Sequence, residues 1–407
     1  MRGKTLLIIG AGREQVPGIE LAKKLGLHVV VTDGNAQAPG FAYADAGATV
    51  DTYDARGQAS FAKAYNKKRK IDGVMTLASD IPHIVSFVAR ALNLPAHPLS
   101  TAKRASDKLL MKRTFARHGV PIPFFKEIKS VSGLERFAGR HGYPVVVKPA
   151  DSRGARGVCI VAEGGASLRR ALASARAESP SKRVMVETFL PGPQLSTESV
   201  VYRGRIVCTV VAERNYGGFL INPPYAIEDG GETPADLSAA QRRAVDLVLT
   251  RAARAMGITD GSMKGDLVYT AAGPKIIEVA ARLSGGYYAT DTIPLATGVD
   301  MVEAVMRICL GLPLQPLALH PKRRQYVSQR YFFPPKAGKV KAIRGIVRAR
   351  SLPGVVRFFF YAKKGDTMRS LISHPARLGC VLAVGRTKAQ AVARAKNAIS
   401  LVKIQVG

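Results

Sequence analysis

The chain has 407 residues and is short of acids, with 29 Asp and Glu against 61 Lys and Arg, a formal net charge of +32. It is also short of cysteine. Cys159, Cys208, Cys309 and Cys380 lie far apart with no C-x-x-C pair, which excludes a disulfide framework and a cysteine zinc site as readings and points to a reducing, cytoplasmic setting. No apolar run approaches the ~18 residues of a membrane span, so no membrane partner is expected. The opening MRGKTLLIIGAGRE starts basic, but its apolar run turns at once into Gly and charge, which fits a buried strand better than a signal peptide. Internal repeats and low-complexity segments are missing too.

What is present is a hydrophobic fraction of 47%, enough to bury real cores in two or three domains. The charge is uneven. From Pro321 to Gly407 there are 20 Lys and Arg against the single acid Asp366, a net of +19. Such a tail is either a solvated basic surface or a dock for an anionic macromolecule, and no nucleic-acid module marks it.

Strand and helix signals alternate through the first hundred residues. Leu6 to Ile9, His28 to Thr32 and Gly73 to Leu77 read as short buried strands, with helical spacing from Ile19 to Leu25, which indicates a parallel sheet flanked by helices. Gly10 and Gly12 begin a dinucleotide-like turn, but Gln15 stands where the third glycine of that fingerprint belongs. One basic helix is expected from Ser100 to about His118, stopped by Pro121 and Pro123. Further on, Arg183 to Phe189 reads as a strand and Glu198 to Glu213 as paired strands. Asn215 to Pro234 is a long polar loop, either a lid or surface decoration. Ala239 to Met256 is helical, and Gly345 to Arg350 is expected as a strand of the tail.

Three features of the middle converge on a nucleoside triphosphate. Lys148 ends the apolar run VVVK and precedes DSRGARG, which supplies a cation and flexible backbone N–H groups for polyphosphate. Asp266 and Glu278 sit on the two arms of GDLVYTAAGPKIIEV, where a spacing of twelve across a turn can bring both carboxylates to one face, as Mg²⁺ requires. Arg282 follows Glu278 by four and leads into SGGYY, suited to charge on a transferred phosphoryl group.

In this order the motifs resemble the ATP-grasp superfamily along nearly the whole chain. The resemblance implies an α/β ATP-grasp fold with three parts: a Rossmann-like preATP-grasp domain over 1–100, an ATP-grasp domain over 101–320 with a lid at about 120–190, and a small basic α+β C-terminal lobe over 321–407. It implies ATP and Mg²⁺, or Mn²⁺, as cofactors. SDKLLMKRTFARHGVPIP places Lys108 as the first nucleotide lysine and PVVVKP places Lys148 as the second. DSRGARGV puts Gly154, Arg156 and Gly157 beside the β- and γ-phosphates. VETFLPGPQLSTESV implies an adenine hinge at Glu187, Thr188, Phe189 and Leu190, with Gln194 in place of the family's ribose-binding acid. Asp266 and Glu278 become metal ligands, and Arg282 with Lys148 the catalytic cations.

Ala280 replaces the Asn that often follows the metal-binding Glu by two, so E-x-A-A-R resembles the amino-acid ligase branch rather than biotin carboxylase. QRYFFPPKAGKV and SHPARLGCVLAVGRT in the tail resemble the same branch. The implied activity joins a small-molecule carboxylate to an amine through an acyl phosphate, with an amino-acid substrate and a homodimeric enzyme. Two alternatives stay open: a bicarbonate- or ammonia-using relative of carbamoyl-phosphate synthetase, and a nonenzymatic nucleotide-binding scaffold. Ser79 and Asp80 follow a strand of the first domain, where Asp80 could hold an amine or both could cap a helix. Tyr287 and Tyr288 could line an acceptor pocket or pack the core.

Overall fold

The structure, a computed structural model, describes residues 1–407 apart from the side chains of Pro316 and Leu317. The first domain is built on a parallel sheet in the order Ala46–Thr49, His28–Asp33, Thr5–Ile9, Gly73–Met75. Alternation along the strands splits its core in two. Leu6, Ile8, Val29 and Val31 pack on one face, and Leu7, Ile9 and Val30 on the other. All seven are fully buried, and burying each such side chain contributes about 1.5–3 kcal/mol.

A larger antiparallel sheet runs Gly273–Ala280, Gly261–Thr270, Gln194–Tyr202, Arg205–Arg214, Gly231–Thr233, Tyr326–Tyr331, Gly379–Gly385, Val355–Phe360. Its last three strands come from the basic tail. The tail therefore continues the central sheet through the short strand Gly231–Thr233, which pairs with Arg205–Arg214 on one side and Tyr326–Tyr331 on the other. That strand lies inside the stretch expected to be a loop throughout. Four further strands, Phe125–Ile128, Val184–Thr188, Val145–Pro149 and Cys159–Val161, form a separate sheet backed by the helices Val131–His141 and Ala166–Ala177.

Two expected elements differ. The single helix from Ser100 is two helices, Leu99–Ser106 and Lys108–Arg117, because Asp107 leaves helical geometry (φ −123°, ψ 109°) and its carboxylate accepts the Leu110 N–H. The break puts Lys108 at the start of a helix, with its N–H on the Ala150 carbonyl. The segment expected as a strand from Gly345 is the short helix Ile346–Arg350. Gly345 opens it at φ +86°, where an added Cβ would strike the Leu401 carbonyl, and Ala349 is buried beside Ala398 and Val402.

Candidate active site

A cleft of about 780 Å³ lies between the three regions. Its floor is the hairpin Gly261–Thr270 and Gly273–Ala280, whose register sets Asp266 directly opposite Glu278, with a bulge just after Asp266. The carboxylates are not left bare. Glu278 meets the Lys108 ammonium at 3.2 Å, and Lys108 also donates to the Ser152 carbonyl at 2.9 Å. Asp266 is held by Lys264, by Arg214 at 3.2 Å and by the Ser196 hydroxyl at 3.2 Å. Burial disfavours its charge, but Lys264 and Arg214 outweigh this and bring its pKa down to about 2.

The second lysine belongs to a buried triad. Lys148 lies 2.6 Å from one oxygen of Glu187, and Lys112 lies 2.9 Å from the other. Lys112 is 0% exposed and also donates to the Ile276 carbonyl. Burial lowers its pKa to about 8 despite Glu187, while the two lysines overcome burial to keep Glu187 below the usual carboxylate range. Sequence reasoning passed over Lys112. Its signal was the four-residue step from Lys108 along a helix, which puts both on one face.

Thr188, Phe189, Leu190 and Gln194 line the same end of the cleft. The Thr188 and Phe189 N–H groups already donate to the Phe124 and Pro144 carbonyls, so these two are not free donors of the hinge. Phe189 packs edge-on against Phe219 at 5.4 Å, which brings the 215–234 stretch over this end.

The loop DSRGARG bends over the cleft, with Gly154 and Arg156 on its lining. Gly157 is absent from the lining. Its φ of +68° and the tight approach of Pro149, Ala175 and Glu178 make it a packing glycine behind the loop. The loop spans regions far apart in sequence: Arg153 lies over the Tyr53 ring at 4.0 Å, and the Gly154 carbonyl accepts the His374 N–H.

Arg282 lines the cleft, but its guanidinium is engaged by Asp80 at 2.5 and 2.7 Å. Asp80 is thus a partner of Arg282 rather than a free carboxylate for an amine. Burial opposes its ionisation, and Arg282 prevails to hold its pKa low. The glycine-rich turn behind Arg282 is held from two sides. Glu14 accepts the Gly286 N–H at 2.7 Å, and the buried Glu198 accepts the Ser284 N–H at 2.7 Å. Gln15 reaches the Leu77 carbonyl at 2.6 Å and the Ser79 hydroxyl at 3.1 Å. The turn lacking its third glycine therefore braces the segment that follows Arg282. Tyr287 stacks on Phe359 at 3.7 Å, the Tyr288 hydroxyl reaches the Val210 carbonyl, and both rings pack in the core while lining the cleft.

The tail supplies cleft residues that sequence reasoning did not name. Arg377 stacks over Tyr331 at 3.9 Å and pairs with Glu228 at 2.9 Å, and all three line the cleft. His374, given no chemistry from sequence, also lines it and is held neutral by burial.

Among the described residues no cluster of three His, Cys, Asp or Glu could hold a metal by itself. Two facing carboxylates still fit Mg²⁺, which commonly takes one or two of them and completes its shell with substrate phosphates and water. No helix is long and apolar enough to cross a membrane.

Three family descriptions match successive parts of the chain: the ATP-grasp N-terminal domain at 19–96, the ATP-binding domain of the carbamoyl-phosphate synthase L chain at 107–317, and the L-amino acid ligase C-terminal domain 2 at 330–407. An uncharacterized protein of Sinorhizobium fredii is 25% identical over 397 residues, 96% of this chain and 80% of that one. Carnosine synthase 1 of Mus musculus is 27% identical over 359 residues, 80% of this chain but 42% of the synthase, so the chain spans about two fifths of that relative. The crystal structure of an L-amino acid ligase from Bacillus licheniformis superposes with a TM-score of 0.83 at 22% identity, covering 100% of both chains.

Proposed function

The chain belongs to the ATP-grasp family, in the group of carbamoyl-phosphate synthase L chain ATP-binding domains, and on that premise we propose that it joins an amino-acid carboxylate to an amine at the expense of ATP. The observation that carries the reading is the meeting of Lys108, Lys148, Asp266, Glu278 and Arg282 in one cleft. ATP phosphates would lie among Lys108, Lys148 and the Gly154 and Arg156 loop, with Gln194 near the ribose. Bound Mg²⁺ would be held by Asp266 and Glu278 and would offset phosphate charge. The substrate carboxylate attacks the γ-phosphorus, giving an acyl phosphate and ADP; the amine then attacks the acyl carbon, releasing phosphate and a proton.

Two anions must approach in the first step, so a surplus of fixed cations is what the chemistry needs. Arg282 is free to serve there once it leaves Asp80, and Asp80 keeps it positioned until then. The loop at Gly154, anchored to both flanking regions, shields the acyl phosphate from water.

The amino-acid substrate is supported by the tail match, by Ala280 in E-x-A-A-R and by the similarity to carnosine synthases. Domain limits at about 100 and 320, a lid at 120–190, a homodimer and a cytoplasmic site belong to the same proposal. We expect ADP release from MgATP only when a suitable amino-acid and amine pair is supplied, and a loss of at least a hundredfold in Glu278→Ala. Unchanged turnover in that variant would remove Glu278 from the metal site. ADP release driven by bicarbonate without any amino acid would instead favour the carboxylating alternative.

A further inference from the structure

Arg282 has a second cavity at its back. This space of about 500 Å³ lies between the first domain and the central sheet, walled by Met75, Val85, Ile308 and Leu312, with Ala281 and Arg282 on the side facing the cleft. Its volume falls in the range of small-molecule sites.

Two polar groups on its wall lack a hydrogen-bond partner among the described residues, the Ser86 hydroxyl and the His97 Nδ1. Ser86 is 2% exposed, and leaving such a group unpaired costs free energy. The His97 ring is wedged against Gly261, where an added Cβ would lie 3.0 Å from Nε2. Burial lowers the His97 pKa to about 4, so the ring is neutral near pH 7.

The ionic groups on the wall are engaged elsewhere: Arg282 with Asp80, Asp260 with the Arg203 N–H, and the Arg203 guanidinium over the Tyr202 ring at 5.2 Å. Asp260 and Arg203 form no ion pair among the described residues but carry opposite charges, so the wall offers a charged ligand no net counter-charge.

We propose that this cavity is a second ligand site, for an uncharged and largely apolar molecule carrying a hydroxyl or amide that hydrogen-bonds Ser86 and His97. It is separate from the ATP cleft and does not depend on the ligase reading. Arg282 forms part of both walls, so occupancy of one is felt at the other.

The probe is 4-phenylphenol, titrated calorimetrically into the full chain with 4-phenylbenzoate as its charged counterpart. Expected are saturable one-to-one binding that persists in saturating MgATP, binding of the carboxylate at least tenfold weaker, and loss of binding in Ile308→Trp, which fills the space. Val85→Trp replaces that variant if circular dichroism shows it misfolded. Ser86→Ala keeps the proposal falsifiable if both misfold: it should weaken binding about fivefold while raising the unliganded Tm, because it removes an unpaired buried hydroxyl. Absence of saturable binding, displacement by MgATP, unaltered binding in the filled variant, or a Ser86→Ala chain that binds as before would each overturn the proposal.

Discussion

The middle of the chain and its basic tail use charge in opposite ways. In the middle, Lys108, Lys148 and Arg282 are gathered at a cleft, where Glu278, Glu187 and Asp80 hold them. In the tail, part of the excess serves as a fastening. Arg330 is 4% exposed and lies 2.5 Å from Glu232, Arg377 reaches Glu228, Arg357 reaches Asp291 at 2.7 Å, and Lys388 reaches Glu213. Every one of those acids comes from the middle. The net of +19 counted along the tail is therefore partly cancelled across a fold boundary, and a surplus computed by segment overstates the free charge. The remainder, such as Lys322, Arg323, Arg324 and Arg348, is exposed.

Arg330→Ala should have the largest effect. It leaves Glu232 buried with only the Ser328 hydroxyl, and a loss of about 3–5 kcal/mol in urea unfolding is expected, against less than about 0.5 kcal/mol for Arg348→Ala. Equal effects from the two would erase the distinction between fastening and surface charge.

Glu198 sharpens the middle. Burial raises its pKa to about 7 from an ordinary 4.5, so the folded state binds the extra proton between those values. Its contribution to stability is complete below pH 4.5 and is lost as pH rises through 7. Glu198→Gln keeps an acceptor for Ser284 and should be more stable than the parent at pH 8, by up to about 3 kcal/mol, with the gain vanishing near pH 4. A gain independent of pH would point to packing instead.

The smallest effect is expected from reversing Lys322, Arg323 and Arg324 to Glu, with stability changed by less than about 0.5 kcal/mol and salt dependence of turnover unaltered. A large change in substrate affinity, lost at high salt, would restore the tail as a docking surface.

Local pattern carried much of this. Ala239–Met256 starts at its Ser238 cap and ends before Gly257, both short-range signals legible in one stretch of chain. Asp266 and Glu278 were legible because a hairpin fixes their register. The break at Asp107 was hidden by helical propensity on both sides of it, while the strand Gly231–Thr233 lies in a polar stretch and is held between Arg205–Arg214 and the distant Tyr326–Tyr331. Gly157 sits in a motif read as phosphate-binding, yet its neighbours are Pro149 and a helix, which no local pattern could supply.

The sequence by itself determined the strands of the first domain, the hairpin with its two carboxylates and Lys148 near the end of its strand, since each depends on a pattern within a short stretch of chain. Only the tertiary structure decided that Asp80 holds Arg282 across 202 positions, that Lys112 joins Lys148 on Glu187, and that Arg377 of the tail enters the cleft. These are pairings of buried charge. A charge can be buried only where the fold supplies its opposite, and the chain positions of such partners follow from packing rather than from any local period.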